Sequence, residues 1–133
     1  MIGEKIGEET SKTMGRRVLS VDGNPVIESS AHGSGTLLGV AYDTDMTYTA
    51  KLQPDGSLVG EGIGVLMGKG GETATFTAQG VGKLTASGGV SWRGSLYHRS
   101  SHSRWSRLNT IVAMFEYEVD AAGDGKGFVQ EWR

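Results

Sequence analysis

Cysteine is absent from this chain of 133 residues, and proline occurs only twice. Without cysteine, disulfide bonds and thiolate chemistry are both excluded. The sequence also lacks the roughly 18 consecutive apolar residues of a membrane-spanning helix and an apolar N-terminal run of the kind found in signal peptides. We therefore expect a cytoplasmic protein without a membrane partner. We also expect a single domain over residues 1–133, a length that can bury a core without cross-links.

Acidic residues are missing from a long internal stretch, although the formal net charge of the whole chain is only −2. No aspartate or glutamate falls between Glu72 and Glu116, whereas basic residues do, namely Lys83, Arg93, Arg99, Arg104 and Arg107. Such a block attracts an anionic ligand or partner when it is left unpaired. When acids of neighbouring strands balance it, the same block is an ordinary solvated surface.

Glycine, by contrast, is abundant: the chain has 22 glycines, interleaved with aliphatic residues, threonine and aromatic residues. The densest run lies between Gly60 and Gly68. A helix loses about 1 kcal/mol at each interior glycine, and a disordered linker would lack the interleaved apolar residues. Strands tolerate glycine at bulges and at the corners of barrels. The pattern therefore predicts strongly curved antiparallel strands.

Eight strand-like segments follow one another, separated by turn residues. Their predicted bounds are Ile2–Val21 with a kink at Gly15, Pro25–Val40, Asp43–Leu52, Leu58–Met67, Glu72–Leu84, Val90–Arg99, Thr110–Val119 and a closing strand that ends at Trp132. The clearest turn is Gln53-Pro-Asp-Gly56, because proline presets the first turn position and glycine takes the left-handed one. Since a sheet of this size must hide its edges, we predict an all-β fold, a single closed antiparallel barrel of about eight strands with short hairpins.

One connection, residues 100–109, is longer and more polar than the others. Its Ser103–Leu108 part predicts a helical turn with a serine as N-cap. Trp105 is a large apolar side chain within this polar sequence, so we expect it to cover either the mouth of the barrel or a partner subunit. Arg104 and Arg107 would then meet an anionic ligand group or a neighbouring carboxylate.

Several familiar functional motifs are incomplete in this sequence. The glycines at 64 and 68 are one residue too close for a phosphate-binding loop, and Gly33-Ser-Gly35 is one residue too short for the nucleophile elbow of a hydrolase. His98 and His102 flank a strand–loop junction, where their spacing does not bring them to one face. We therefore expect exposed polar histidines, no metal and no cofactor. The negative net charge and the lack of a recognised motif argue against a nucleic-acid partner.

Phe115 and Tyr117 alternate with Glu116 and Glu118, and the periodicity leaves open which pair faces the interior. If the aromatic pair is inside, both glutamates face solvent. If Glu116 is inside, its pKa rises and it can act as a general acid or base. The preceding strand could place the basic and phenolic side chains of Arg93 and Tyr97 opposite it. Glu116, Arg93 and Tyr97 are accordingly our candidates for catalysis.

A set of glycine-containing motifs resembles the allene-oxide-cyclase-like, or calycin-like, barrels, and in particular small uncharacterised bacterial and archaeal proteins of that shape. The motifs are Gly33-Ser-Gly-Thr-Leu-Leu, Tyr48-x-Ala-x-Leu-x-Pro-Asp-Gly56, Phe76-x-Ala-Gln-Gly80-x-Gly, Gly88-Gly-Val-Ser-Trp-Arg-Gly94 and Phe115-Glu-Tyr-Glu-Val119. The resemblance implies an apolar cup, open at one end, around a flexible ligand. It carries over no catalytic residue, because this sequence matches none of the polar constellations of those proteins.

Our leading hypothesis is a barrel that binds a small, largely apolar molecule, with or without a carboxylate group, in its lumen. The expected ligand-binding residues are Tyr48, Phe76, Gln79, Trp92, Tyr97, Trp105 and Phe115. Two alternatives stay open: an isomerase or cyclase on the same scaffold, and an oligomeric module without a ligand. A purely apolar lumen favours binding, whereas a buried carboxylate beside a hydrogen-bond donor favours chemistry. We expect a homo-oligomer, either a dimer or a trimer.

Overall fold

The eight predicted strands are present and form one closed antiparallel barrel. The structure is a computed structural model that describes residues 2–132. Its strands are β1 (Ile2–Ser20), β2 (Val26–Leu37), β3 (Val40–Leu52), β4 (Leu58–Gly68), β5 (Thr73–Leu84), β6 (Val90–Arg99), β7 (Val112–Val119) and β8 (Asp124–Trp132). Each strand pairs with the next in sequence, and β8 pairs with β1 to close the ring. A 3₁₀ helix, Ser103–Thr110, lies between β6 and β7.

The bounds of the strands follow the prediction except at the second turn. β2 ends at Leu37 and β3 begins at Val40, so the turn is Leu38-Gly39, not the residues just before Asp43. Both turn residues have positive φ, 49° and 78°, as a two-residue hairpin turn requires. Leucine rarely adopts this conformation, so its residue type does not predict a turn at this position. The kink predicted at Gly15 is confirmed as a shift of register between Thr13 and Gly15.

The inward aromatic side chains lie opposite glycines on the neighbouring strands. The pairs are Tyr48–Gly62, Gly64–Phe76, Gly82–Trp92, Gly94–Phe115 and Tyr117–Gly127. Because glycine has no Cβ, each ring can lie against the backbone of the next strand. This close approach explains why a barrel of only eight strands holds so many large rings, and why the chain needs its glycines on the inward face.

The 3₁₀ helix closes one end of the barrel. Trp105 and Leu108 are fully buried there, in a cluster with Leu37, Tyr42 and other apolar residues. The Trp105 Nε1–H donates to the Leu37 carbonyl at 3.0 Å, and its ring packs edge-to-face on Tyr42. Of the two roles expected for Trp105, the structure shows the cover over the barrel end. The N-cap is His102, not a serine: its Nδ1 accepts from the Arg104 backbone N–H at 3.2 Å.

Carboxylates of neighbouring elements pair with three of the five basic residues of the block, Arg93, Arg104 and Arg107. In the connecting helix, Arg107 donates to both oxygens of the buried Glu131, at 2.6 and 2.5 Å, and Arg104 lies 3.5 Å from Glu72. On the barrel wall, Arg93 pairs with two glutamates of β7. These pairs match the alternative in which the basic stretch is balanced by nearby acids. Within residues 2–132, no helix is long and apolar enough to cross a bilayer.

Candidate functional site

A cavity of about 140 Å³ lies inside the barrel. Its wall includes residues from two apolar clusters, the one beneath the 3₁₀ helix and a second built on Leu58, Trp92 and Val119. Most of the wall is aromatic or aliphatic. A cavity of roughly 150 Å³ lined by apolar side chains is large enough to bind benzene. The volume is therefore suited to a molecule of about one ring.

A carboxyl group lies in the wall of this cavity, between two phenols. Glu9 is on β1; the Tyr42 hydroxyl of β3 donates to its Oε1 at 2.8 Å, and the Tyr117 hydroxyl of β7 lies 2.9 Å from its Oε2. The Tyr117 oxygen is also 2.6 Å from the Ser11 hydroxyl. A phenol carries a single proton, so Tyr117 donates to one of these partners at a time, and the serine hydroxyl can supply the other hydrogen bond.

The surroundings of Glu9 favour its protonated form. Burial raises the pKa of the Glu9 carboxyl above 4.5, and the hydrogen bonds from Tyr42 and Tyr117 oppose that rise. Burial, together with the nearby Glu9, raises the pKa of both tyrosines, so the phenols remain donors. Among residues 2–132, no lysine or arginine lines the cavity. Glu9 is thus a partly buried acid, and the partners of its carboxyl oxygens are neutral hydroxyl groups.

His98 also lines the cavity, and it corrects the expectation of an exposed histidine. It alternates inward with Trp92 and Leu96 on β6 and is only 5% exposed. Burial lowers the pKa of His98 to about 4, so the ring is neutral. Its Nδ1 has no hydrogen-bond partner, and a buried polar atom in this state costs roughly 1–3 kcal/mol. In the part of the chain that the structure describes, no group of three His, Asp or Glu side chains is arranged to hold a metal.

The expected ligand-binding residues fall into three places. Tyr48, Phe76, Trp92 and Phe115 line the cavity, as a lumen site requires. Gln79 belongs to the cavity wall but occupies an exposed position of β5, and Tyr97 is 48% exposed on the outer face of β6. Trp105 lies in the apolar cluster at the closed end.

The three candidates for catalysis lie on the outer surface. Arg93 and Glu116 do face each other, with Nη2 and Oε1 3.2 Å apart, and Tyr97 shares the outward face of β6 with Arg93. Phe115 and Tyr117 occupy the inward positions of β7, so the orientation that would place Glu116 in the lumen does not occur. Both members of the ion pair are about half exposed.

The acid in the lumen, Glu9, was missed because β1 is polar on both faces around it. Its neighbours Glu8 and Lys12 are as hydrophilic as Glu9 itself, so the alternation of polar and apolar residues does not indicate which side chains of β1 point into the barrel. The available signal was weaker: Glu9 shares its face with small neutral residues, Gly7 and Ser11, while the charged neighbours occupy the other face.

These features define an eight-stranded antiparallel barrel with a partly open, largely apolar cavity and a partly buried carboxyl group in its wall. Three solved structures share this fold. A conserved protein of unknown function from Rhodopseudomonas palustris has a TM-score of 0.85 and 9% identity, over 98% of this chain and 97% of that one. A β-barrel-like protein from Acinetobacter baumannii AYE also has a TM-score of 0.85 and 9% identity, over 100% and 96%.

A protein with unknown function from Clostridium acetobutylicum has a TM-score of 0.80 and 9% identity, over 99% of this chain and 98% of that one. At such low identity these likenesses establish the fold alone. No family model matches the sequence. No curated protein matches it either.

Proposed function

We propose that the barrel binds a small, largely apolar molecule in its cavity, as a homo-oligomer in the cytoplasm. The observation that carries the proposal is the cavity itself. Protein interiors are packed with few voids larger than a water molecule. A ligand held in this cavity of about 140 Å³ would cover apolar wall, and each Å² of apolar surface removed from water contributes roughly 25 cal/mol to binding.

The wall supports an aromatic ligand. Tyr48 and Trp92 contact each other edge-to-face, with ring centroids 6.1 Å apart, and Phe76 and Phe115 complete an aromatic lining. Such rings offer large apolar contact area with a preference for offset or edge-on neighbours. Toluene, a single ring with one methyl group, is therefore a suitable first probe.

The test measures thermal unfolding with increasing toluene. Saturable binding to the folded state raises Tm. The effect should disappear in Ala78→Leu, which fills the cavity, and persist in Thr77→Leu, its outward-facing neighbour on β5. Leu96→Phe is a second filling variant if Ala78→Leu does not fold. A Tm of the wild type that toluene leaves unchanged, or an equal rise in the filled variants, contradicts binding in the cavity.

An isomerase or cyclase is the second candidate function, because a specific observation favours it. Glu9 is a carboxyl group with a raised pKa, held beside two phenol donors in an apolar cavity. This arrangement suits removal of a proton next to a carbonyl, with a phenol stabilising the oxygen that gains charge. The exposed pair of Arg93 and Glu116 lies outside the cavity and would have to act without an enclosed site.

The enzyme candidate is tested by proton exchange. Cyclohexanone is a ring-sized ketone, and its α-protons exchange with D₂O. The wild type should accelerate this exchange, as followed by NMR, and Glu9→Gln should abolish the acceleration while Glu116→Gln retains it. No acceleration by the wild type, or equal acceleration by Glu9→Gln, contradicts the role of Glu9.

Self-association is supported by the outer face of β4. Its outward side chains Val59, Ile63, Val65 and Met67 are between 43% and 60% exposed, with Glu61 between the first two, and exposed apolar surface of this kind marks interfaces. The occupant we propose is a second copy of the chain, in a dimer or a trimer. We also group the chain with the allene-oxide-cyclase-like, calycin-like barrels, a proposal supported by its glycine motifs and by its closed barrel.

A further inference from the structure

The described residues that line the cavity include acidic side chains but no lysine or arginine. Glu9 is a partly buried acid whose two oxygens contact the hydroxyls of Tyr42 and Tyr117, and the Ser11 hydroxyl in turn contacts that of Tyr117. His98, on another part of the wall, is neutral. No lysine or arginine among residues 2–132 lines the cavity. An ionised Glu9 therefore has hydrogen bonds but no cation beside it.

Glu9 also retains hydrogen-bonding capacity. A carboxylate has about four acceptor sites, and the structure shows one phenol at each oxygen. The remaining lone pairs can accept from a donor that enters the cavity. A cationic donor is favoured over a neutral one, because hydrogen bonds between opposite charges are roughly twice as strong.

The aromatic wall favours the same kind of ligand. The faces of aromatic rings carry negative potential and attract cations, including ligand ammonium groups. Tyr117 joins the two features, since its hydroxyl reaches Glu9 while its ring belongs to the cluster that contains Tyr48 and Trp92. A ligand that carries a carboxylate is disfavoured. It would lie beside the Glu9 carboxyl group and the negative faces of the rings, with no positively charged side chain to balance it.

We propose that the ligand is an amine carried on a single apolar ring, with its ammonium group on Glu9 and its ring against the aromatic wall. This inference rests on the proposed binding function and names its ligand class. An amine replaces the ligand carboxylate that we considered from the sequence, because Arg93, Arg104 and Arg107, three of the basic residues that suggested an anion, pair with carboxylates of the chain.

The experiment compares four ring-sized probes by calorimetry at neutral pH: toluene, benzyl alcohol, benzylamine and benzoate. In the wild type we expect benzylamine to bind most tightly, roughly 10- to 100-fold better than toluene, as a charged hydrogen bond provides. Benzoate should bind most weakly. In Glu9→Gln, toluene binding should persist and the advantage of benzylamine should be lost. Glu116→Gln, which removes a matched acid on the outer face, should leave the advantage unchanged.

The outcomes separate the two proposals. If toluene binds but benzylamine has no advantage, or if Glu9→Gln keeps that advantage, the amine inference is overturned and the binding function stands. If none of the probes binds to the wild type, the binding function itself fails. Should Glu9→Gln not fold, the ¹³C shift of the Glu9 carboxyl in the wild type decides. Benzylamine must move it toward the ionised value, which toluene must not do, and any other response overturns the amine inference.

Discussion

The ring of Trp92 occupies space that only glycine can leave at position 60. A Cβ on Gly60 would lie 2.6 Å from Cζ3 of this ring, and one on Gly82 would lie 3.0 Å from it. Gly82 is the direct cross-strand partner of Trp92, and Gly60 belongs to the strand beyond. The indole therefore extends across β5 to the backbone of β4, where it forms part of the cavity wall.

Gly60→Ala should force this ring toward the cavity. We expect a loss of about 1–3 kcal/mol in unfolding free energy, the usual cost of overpacking, together with weaker toluene binding. Chemical denaturation and calorimetry measure the two effects. Gly15→Ala is the control, because the nearest atom to its Cβ would be at an ordinary 3.7 Å. Equal stability of the two variants would show that the Trp92 ring moves aside freely.

Glu9→Gln should change how stability depends on pH. Because burial raises the folded-state pKa of Glu9, the folded protein retains this proton at pH values where the unfolded chain has lost it. The contribution of Glu9 to the unfolding free energy of the wild type therefore falls as pH rises from the ordinary pKa of glutamate through the raised pKa of Glu9. Relative to Glu9→Gln, the wild type should be less stable at about pH 8 than at about pH 4. A difference independent of pH contradicts the shift.

His98→Leu should have the opposite pH signature. The folded-state pKa of His98 is about 4 against an ordinary 6.5, so the unfolded chain takes up a proton first as pH falls. Wild-type stability should drop by on the order of 3 kcal/mol between these pH values, and His98→Leu should be spared that drop. Denaturant unfolding at several pH values measures it. His32→Asn, at an exposed histidine, is the control and should lose stability with falling pH as the wild type does. If His98→Leu also shows the pH dependence of the wild type, His98 is not the group that titrates.

Trp105→Ala should destabilise the barrel without changing its assembly. Trp105 is fully buried within its own chain and donates a hydrogen bond to Leu37, so its removal should cost about 3–5 kcal/mol. Trp132→Ala, at a side chain that is 48% exposed, should cost much less. Thermal unfolding and light scattering give stability and mass. Dissociation of Trp105→Ala at full stability would assign the residue to an interface instead.

Ile63→Lys should weaken self-association. Ile63 is 60% exposed in the apolar face of β4, and a lysine there would place a charge in the proposed interface between copies. The expected result is a lower mass in light scattering at micromolar concentration. Thr10→Lys, on the exposed face of β1, is the matched control and should keep the wild-type mass. A wild type that is already monomeric contradicts the proposal.

Most of the barrel could be predicted from the sequence because its turns and its glycines carry local signals. The turn at Gly56 has a positive φ of 87°, and proline and aspartate precede it in the expected order. Leu38 takes a turn conformation that its residue type does not indicate. Closure by β1 and β8 was inferred from the need to hide sheet edges, and the pairing of these strands confirms it.

The cavity was harder to predict than the barrel. Four aromatic residues expected to bind the ligand lie in its wall, although alternation alone left open which face of the Phe115 strand is inward. Glu9 was not predicted there, since both faces of β1 are polar near it and its partners Tyr42 and Tyr117 are 33 and 108 residues away. His98 was expected to be exposed because its side chain is polar, and its burial is instead explained by the inward face of β6 that it shares with Trp92.

The hydrogen bond between Glu9 and Tyr117 joins the first strand of the barrel to the seventh, and this has a consequence for biosynthesis. While the chain is being made, β1 can pair with β2 but has no second neighbour until β8 leaves the ribosome. The pocket is therefore complete only when the last strand docks, and nearly all contacts across this seam are remote in sequence, a feature of slow folding. Ligand binding during synthesis would report the moment of ring closure.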